Sequence, residues 1–218
     1  MLRRPLPRRL LPALATLAVA TALVGCGSTD EDAHAGGHVA EVSTAADEGP
    51  FAGRELSDPR PRPGFALTAQ DQARFDFAQE TSGQPTLLFF GYANCPDVCP
   101  TTMADVAVAL RSVPEDVAAR TQVVFVTTDP ARDTAEFLGE YLARFDQDLP
   151  NRFIGLTGTQ AEVEAAQAAA QVPLAEADGT MHATSLLLYG PDDVARVMFS
   201  AGDTSGEIAE DLQTIAGL

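Results

Sequence analysis

The chain has 218 residues, 45% of them hydrophobic, which is enough for one globular domain with a core of its own. All 14 basic residues are arginine, against 31 acidic ones, and the formal charge is −17. Such a surface repels phosphate backbones and so excludes nucleic acid as a partner, while it favours cations and basic proteins or simply keeps the chain dispersed.

Arg3, Arg4, Arg8 and Arg9 precede the apolar run LPALATLAVATALVG, residues 11–25. That run is too short for a confident membrane span, and residues 1–25 read as a signal peptide. It ends in Leu23-Val24-Gly25-Cys26, which looks like a bacterial lipoprotein lipobox. The likeness implies that Cys26 is diacylated and anchors the mature chain at the extracytoplasmic face of the cell membrane. The stretch that follows, up to Pro63, is rich in Gly, Ser, Asp, Glu and Pro without a sustained apolar period. Residues 26–63 are therefore expected to be a lipidated cysteine and a disordered tether, spanning about 35 Å on average. His34 and His38 lie in it as H-x-x-x-H, either as solvated side chains or as a weak metal site.

The folded domain is expected over residues 64–218. Phe65–Leu67 and Arg74–Phe77 read as a hairpin, and Thr86–Phe90 is a continuous apolar run of the kind buried on both faces of a sheet. After the loop GYANCPDVCP, helical spacing of Met103, Val106, Ala107 and Leu110 predicts a helix over 101–111, stopped by Pro114. Val123–Thr127 is a second buried strand, and Asp133-Thr134 caps a helix through Phe137, Leu138, Tyr141 and Leu142. Phe153–Leu156 is a short strand, and Thr159 caps the next helix. Strands at Ser185–Tyr189 and Ala195–Ser200 flank the turn Gly190–Asp193, and a helix over 205–215 closes the chain. This order predicts an α/β sandwich with a central mixed sheet flanked by helices. A buried strand that ends in a cysteine loop and leads straight into a helix is the thioredoxin-like arrangement.

Cys95 and Cys99 stand at that strand-to-helix junction. Amides and the positive dipole end of a helix start lower a cysteine pKa, and the thiolate is both nucleophile and metal ligand. Pro96 and Pro100 stiffen the loop. Three roles compete. A structural disulfide closing so short a loop contributes only roughly 2 kcal/mol. A dithiol–disulfide couple would use Cys95 and Cys99 as catalytic residues, Cys95 attacking and Cys99 resolving. A soft-metal site would use both sulfurs, and a third ligand would secure it. The domain's one histidine, His182, stands just before the strand at Ser185 and is by position alone an ordinary solvated side chain.

The chain resembles the SCO/SenC family of thioredoxin-like copper proteins. The likeness is carried by Phe90-Gly91-Tyr92, Cys95-Pro96-Asp97-Val98-Cys99-Pro100-Thr101-Thr102-Met103, Thr128-Asp129-Pro130-Ala131-Arg132-Asp133-Thr134, Phe153–Gly158, and His182 ahead of the Tyr189–Asp192 turn. It implies that Cys95, Cys99 and His182 bind copper as Cu(I) and Cu(II). It also implies an exported copper donor, and as recipient the cytochrome c oxidase subunit that carries the copper A centre; some members act instead as thiol–disulfide reductants or redox sensors. Asp97 and Asp129 fall on acidic positions of the family, Asp129-Pro130 reading as a turn. Met181 and Ala183 depart from the acidic and hydroxyl residues that usually flank the histidine, and Met181 is either packing or an extra soft ligand.

Overall fold

The computed structural model describes residues 49–174 and 185–217. In chain order the elements are β1 (Arg54–Pro61), β2 (Ala66–Ala69), β3 (Arg74–Asp76), α1 (Phe77–Glu80), β4 (Thr86–Gly91), α2 (Val98–Ser112), α3 (Glu115–Arg120), β5 (Gln122–Thr127), α4 (Ala135–Asp146), β6 (Ile154–Thr157), α5 (Gln160–Ala169), β7 (Leu186–Tyr189), β8 (Val194–Phe199) and α6 (Ser205–Ala216). The strands form one mixed sheet in the order β1-β8-β7-β4-β5-β6-β2-β3. β4, β5 and β6 run parallel, and every other neighbour pair is antiparallel.

Strand β4 sits at the middle of this sheet, and all six of its residues are buried. Successive side chains of a strand point to opposite faces. Leu87 and Phe89 accordingly join one core with Met103, Val106, Leu110, Leu138 and Leu212. Leu88 and Phe90 join the other with Phe77, Val163 and Ala166. Two cores on two faces explain the unbroken apolar runs of β4 and β5, and they fix the place where β4 ends and the cysteine loop begins.

The expected sandwich and its helix-flanked mixed sheet are present; Phe77, expected in the hairpin, instead opens α1 behind the Asp76 cap, and three further differences stand out. First, the fold begins before Gly64: β1, expected within the tether, pairs with β8 through Arg54↔Met198, Glu55↔Val197, Arg60↔Ala195 and Pro61↔Val194. An edge strand needs little apolar content. Only Leu56 of β1 enters the core, and Pro59 and Pro61 are tolerated because one side of β1 has no ladder to donate to. Second, α2 starts at Val98 instead of Thr101. Pro100 falls in the first turn, where a missing amide costs nothing. Third, the short helix α3 follows Pro114, and the Asn151 side chain bonds the Ala118, Ala119 and Thr121 carbonyls at its end. The caps at Thr134 and Thr159 are as expected, the latter as a full capping box, but Asp133 turns inward instead of capping.

Candidate metal centre

The cysteine loop leaves β4 at Gly91 and is fastened to the end of β5. Thr128 donates its amide to the Gly91 carbonyl at 2.7 Å, and Ala93 donates its amide to Asp133 Oδ2 at 2.8 Å. Gly91 is required by close approach: a Cβ there would lie 2.5 Å from the Phe89 ring and 2.9 Å from Cys99 Sγ. A turn with Cys95 N bonded to the Tyr92 carbonyl at 3.2 Å then presents Cys95 at the helix entrance.

Both cysteines are thiols. Cys95 is partly buried, whereas Cys99, the second residue of α2, is fully buried. The Cys99 amide donates to Cys95 Sγ at 3.3 Å, and the two side chains are hydrogen-bonded to each other. The pair therefore converges on one point, as two ligands of one ion or the partners of one disulfide must.

The two sulfurs are electrostatically unequal. Burial raises the Cys95 thiol pKa, but the Cys99 and Asp97 amides, the Cys99 side chain and the Tyr92 side chain outweigh it and hold the group below its ordinary value of 9.0. For Cys99 burial dominates and drives the pKa far up; the Tyr92 amide opposes this, while Cys95 and Asp133 add to it. Cys95 is thus the sulfur poised to ionise first, and Cys99 holds its proton until something binds. Two soft sulfurs of this kind suit Cu(I) or another thiophilic ion, and they suit thiol exchange equally well.

Asp129 closes the turn expected of it: Arg132 N and Asp133 N donate to its carbonyl at 3.1 and 2.9 Å, and its carboxylate pairs with the Arg132 guanidinium. Asp97 is exposed beside the loop. His182 and Met181 lie outside the described residues, as do Cys26, His34 and His38. Among the described residues, no three His, Cys, Asp or Glu side chains cluster to hold a metal. The chain re-enters the sheet at Leu186, which pairs with Phe89, two residues before Gly91.

Three residues act on the cysteine pair in ways the sequence does not announce, Asp133 among them despite its expected place in the α4 cap. Tyr92 bonds the Cys95 sulfur, Asp133 holds the loop from below, and the fully buried Tyr141 interacts with Cys99 and Asp133. Tyr92 and Asp133 stand inside the motif stretches, so their positions were visible but their direction was not. Tyr141 read only as an apolar-face residue of α4.

A mixed sheet whose central strand ends in a C-x-x-x-C pair at a helix start defines a thioredoxin-like dithiol protein. The chain belongs to the SCO1/SenC family, whose model matches residues 54–217. A relative from Stutzerimonas stutzeri is 35% identical over 145 residues, which are 63% of this chain and 69% of that one. The human protein "SCO1 homolog, mitochondrial" is 30% identical over 162 residues, 69% of this chain, and this chain spans about half of its length (51%). Among solved structures, Bradyrhizobium japonicum ScoI with copper bound superposes with a TM-score of 0.59 at 33% identity, covering 72% of this chain and 99% of that one.

Proposed function

We propose that this chain is an exported copper protein, anchored through Cys26 at the extracytoplasmic face of the membrane, that delivers copper to the copper A centre of cytochrome c oxidase. The observation that carries the reading is the convergence of Cys95 and Cys99 at the first turn of α2, one sulfur half-exposed and poised to ionise. Copper is cargo here, and the donor set fits it: two soft sulfurs hold Cu(I), and an imidazole extends the site to Cu(II). His182 is the proposed third ligand. Support for it comes from β7, which begins at Leu186, four residues after His182, and pairs beside the root of the cysteine loop. The copper-bound Bradyrhizobium relative supports the choice of metal.

In the proposed cycle, Cys95 meets the incoming ion first, because its thiolate forms more readily. Cys99 gives up its proton as its sulfur joins. A three-ligand site leaves room for a ligand of the recipient, so copper moves on by ligand exchange. The acidic surface draws basic partner surfaces together without fixing which they are.

The test is copper titration of the reduced, metal-free protein, with absorption read for sulfur-to-Cu(II) charge transfer. One Cu(II) per chain is expected, with retention collapsing in His182→Ala. Stoichiometric Cu(II) held by His182→Ala would remove the three-ligand site. No copper uptake together with intact thiol exchange would replace delivery by the redox role of the same cysteines.

A further inference from the structure

Asp133 belongs to the stretch Thr128–Thr134, where its expected task was to cap α4. Thr134 does that instead, its Oγ1 accepting the Phe137 amide at 3.2 Å. Asp133 is fully buried, with its carboxylate directed at the underside of the cysteine loop. Oδ2 accepts from Ala93 N at 2.8 Å and from Thr127 Oγ1 at 2.7 Å. The Thr127 oxygen in turn accepts the Asp129 amide at 3.0 Å. The backbone of Asp133 is itself pinned, its amide on the Asp129 carbonyl at 2.9 Å and its own carbonyl bonded by Thr157 Oγ1 at 3.0 Å. A rigid platform built from the end of β5, the start of α4 and the end of β6 therefore grips one amide, two residues before Cys95.

That amide sits in a stretch that serves both sulfurs. The Tyr92 amide bonds the Cys99 sulfur, the Tyr92 side chain bonds the Cys95 sulfur, and the Tyr92 carbonyl accepts the Cys95 amide. The Thr128 bonds hold this stretch at its sheet end, on the Gly91 carbonyl; the Asp133 bond holds its far end, across 40 residues of sequence. Burying a carboxylate for structure alone is unfavourable, and Asp133 Oδ1 finds no hydrogen-bond partner among the described residues. Among the described residues it is the one buried carboxylate with an oxygen left unpartnered, and it lies under the cysteine pair.

We infer that Asp133 is the positioning residue of the cysteine pair: by holding the Ala93 amide it fixes the loop that sets where Cys95 and Cys99 meet. As far as copper is concerned the inference rests on the reading proposed above; its geometric part does not. An asparagine keeps a carbonyl oxygen where Oδ2 sits, while an alanine removes the acceptor.

The experiment compares the reduced protein with Asp133→Ala and Asp133→Asn by three measurements. These are exchange of the Ala93 amide with deuterium, the rate at which iodoacetamide alkylates Cys95 in the metal-free protein, and Cu(I) retention against a competing chelator. Asp133→Ala is expected to speed Ala93 exchange at least about 10-fold, change the Cys95 rate several-fold, and weaken copper retention by about 10- to 100-fold, the usual range for a group that orients a metal ligand. Asp133→Asn is expected to restore all three to within about threefold. A folded Asp133→Ala protein with unchanged Ala93 exchange and Cys95 alkylation would overturn the inference. If the alanine variant does not fold, the unaltered protein decides: Ala93 exchanging as fast as the exposed Asn94 amide overturns it. Failure of the unaltered protein to bind Cu(I), with the exchange and alkylation results as expected, would sink the copper reading and leave the positioning role standing.

Discussion

Cys95 and Cys99 differ more than their four-residue spacing suggests, and the difference is measurable without metal. Because amide and side-chain hydrogen bonds hold the Cys95 thiol below 9.0 while burial holds Cys99 far above it, alkylation at neutral pH is expected to fall on Cys95 almost alone. Mass spectrometry after brief iodoacetamide treatment checks this, and equal labelling of both residues would contradict the asymmetry. Gly91→Ala is expected to strike the same pair, since the new methyl would meet both Phe89 and the Cys99 sulfur inside contact distance. Overpacking of that kind costs about 1–3 kcal/mol, and denaturant unfolding would report it. A third residue carries weight far from the site. Arg62, its side chain only 3% exposed, bonds Asp193 at 2.7 Å, Thr81 Oγ1 at 2.7 Å and the Gln84 and Gly190 carbonyls, and lies over the Phe77 and Tyr189 rings. None of this was legible in the Arg60-Pro61-Arg62-Pro63 run, which looks like tether. Its partners come from the α1–β4 loop and the β7–β8 turn, and no local pattern announces them. Arg62→Lys keeps the charge but loses the planar fork, and is expected to destabilise by about 2 kcal/mol.

At the scale of elements, what the sequence made readable were pieces whose cause is local. The apolar runs of β4 and β5, the 3.6-residue period of α2 and the Thr159 cap each follow from residues adjacent in the chain. β1 escaped because its reason for being a strand is β8, well over a hundred residues away, and its own composition is that of a linker. α3 escaped because six residues between a proline and a strand are too few to show a period. For the site, sequence placed both sulfurs correctly at the strand-to-helix junction, since a buried run and a helical run bracket them. It did not show which thiol would be buried, nor that Asp133 faces inward, because both depend on how β5 and α4 pack beneath the loop. The capping boxes permit a direct check on local causes. Thr159→Ala and Thr204→Ala each remove a side-chain oxygen bonded to the third helical amide, and each is expected to cost about 1 kcal/mol. Thermal unfolding should register the two losses independently, as the helices α5 and α6 lie on opposite faces of the sheet.

At the scale of the whole molecule, four carboxylates among the described residues, Asp133 and Asp211 against Asp192 and Asp193, pull stability in opposite directions with pH. Asp211, fully buried on α6, accepts the Ala52 and Gly53 amides at 2.7 and 2.8 Å and so fastens the chain just before β1. Burial raises its pKa above 3.8, the two amides oppose this, and Glu210 and Glu207 reinforce it; burial likewise raises Asp133. A carboxyl whose folded pKa exceeds its unfolded value binds its proton more tightly when folded. Its contribution is therefore most favourable below 3.8 and declines as pH rises through the folded value. Asp192 and Asp193 are of the other kind. Arg196 holds Asp192 below 3.8, and for Asp193 the Gly83 amide, Ser82 and Arg62 overcome the opposing effect of burial. Their stabilisation is present above 3.8 and is lost as pH falls through their lowered values. The two raised carboxyls should consequently make the thermal midpoint climb as pH is lowered through their folded values toward 3.8, and the two lowered ones should make it drop again below 3.8. Asp211→Asn keeps an acceptor for one amide and removes the buried charge. It should flatten the decline that sets in as pH rises above 3.8 while leaving the loss below 3.8 in place, and an unchanged decline would mean that the carboxylate under the Ala52 and Gly53 amides does not set it.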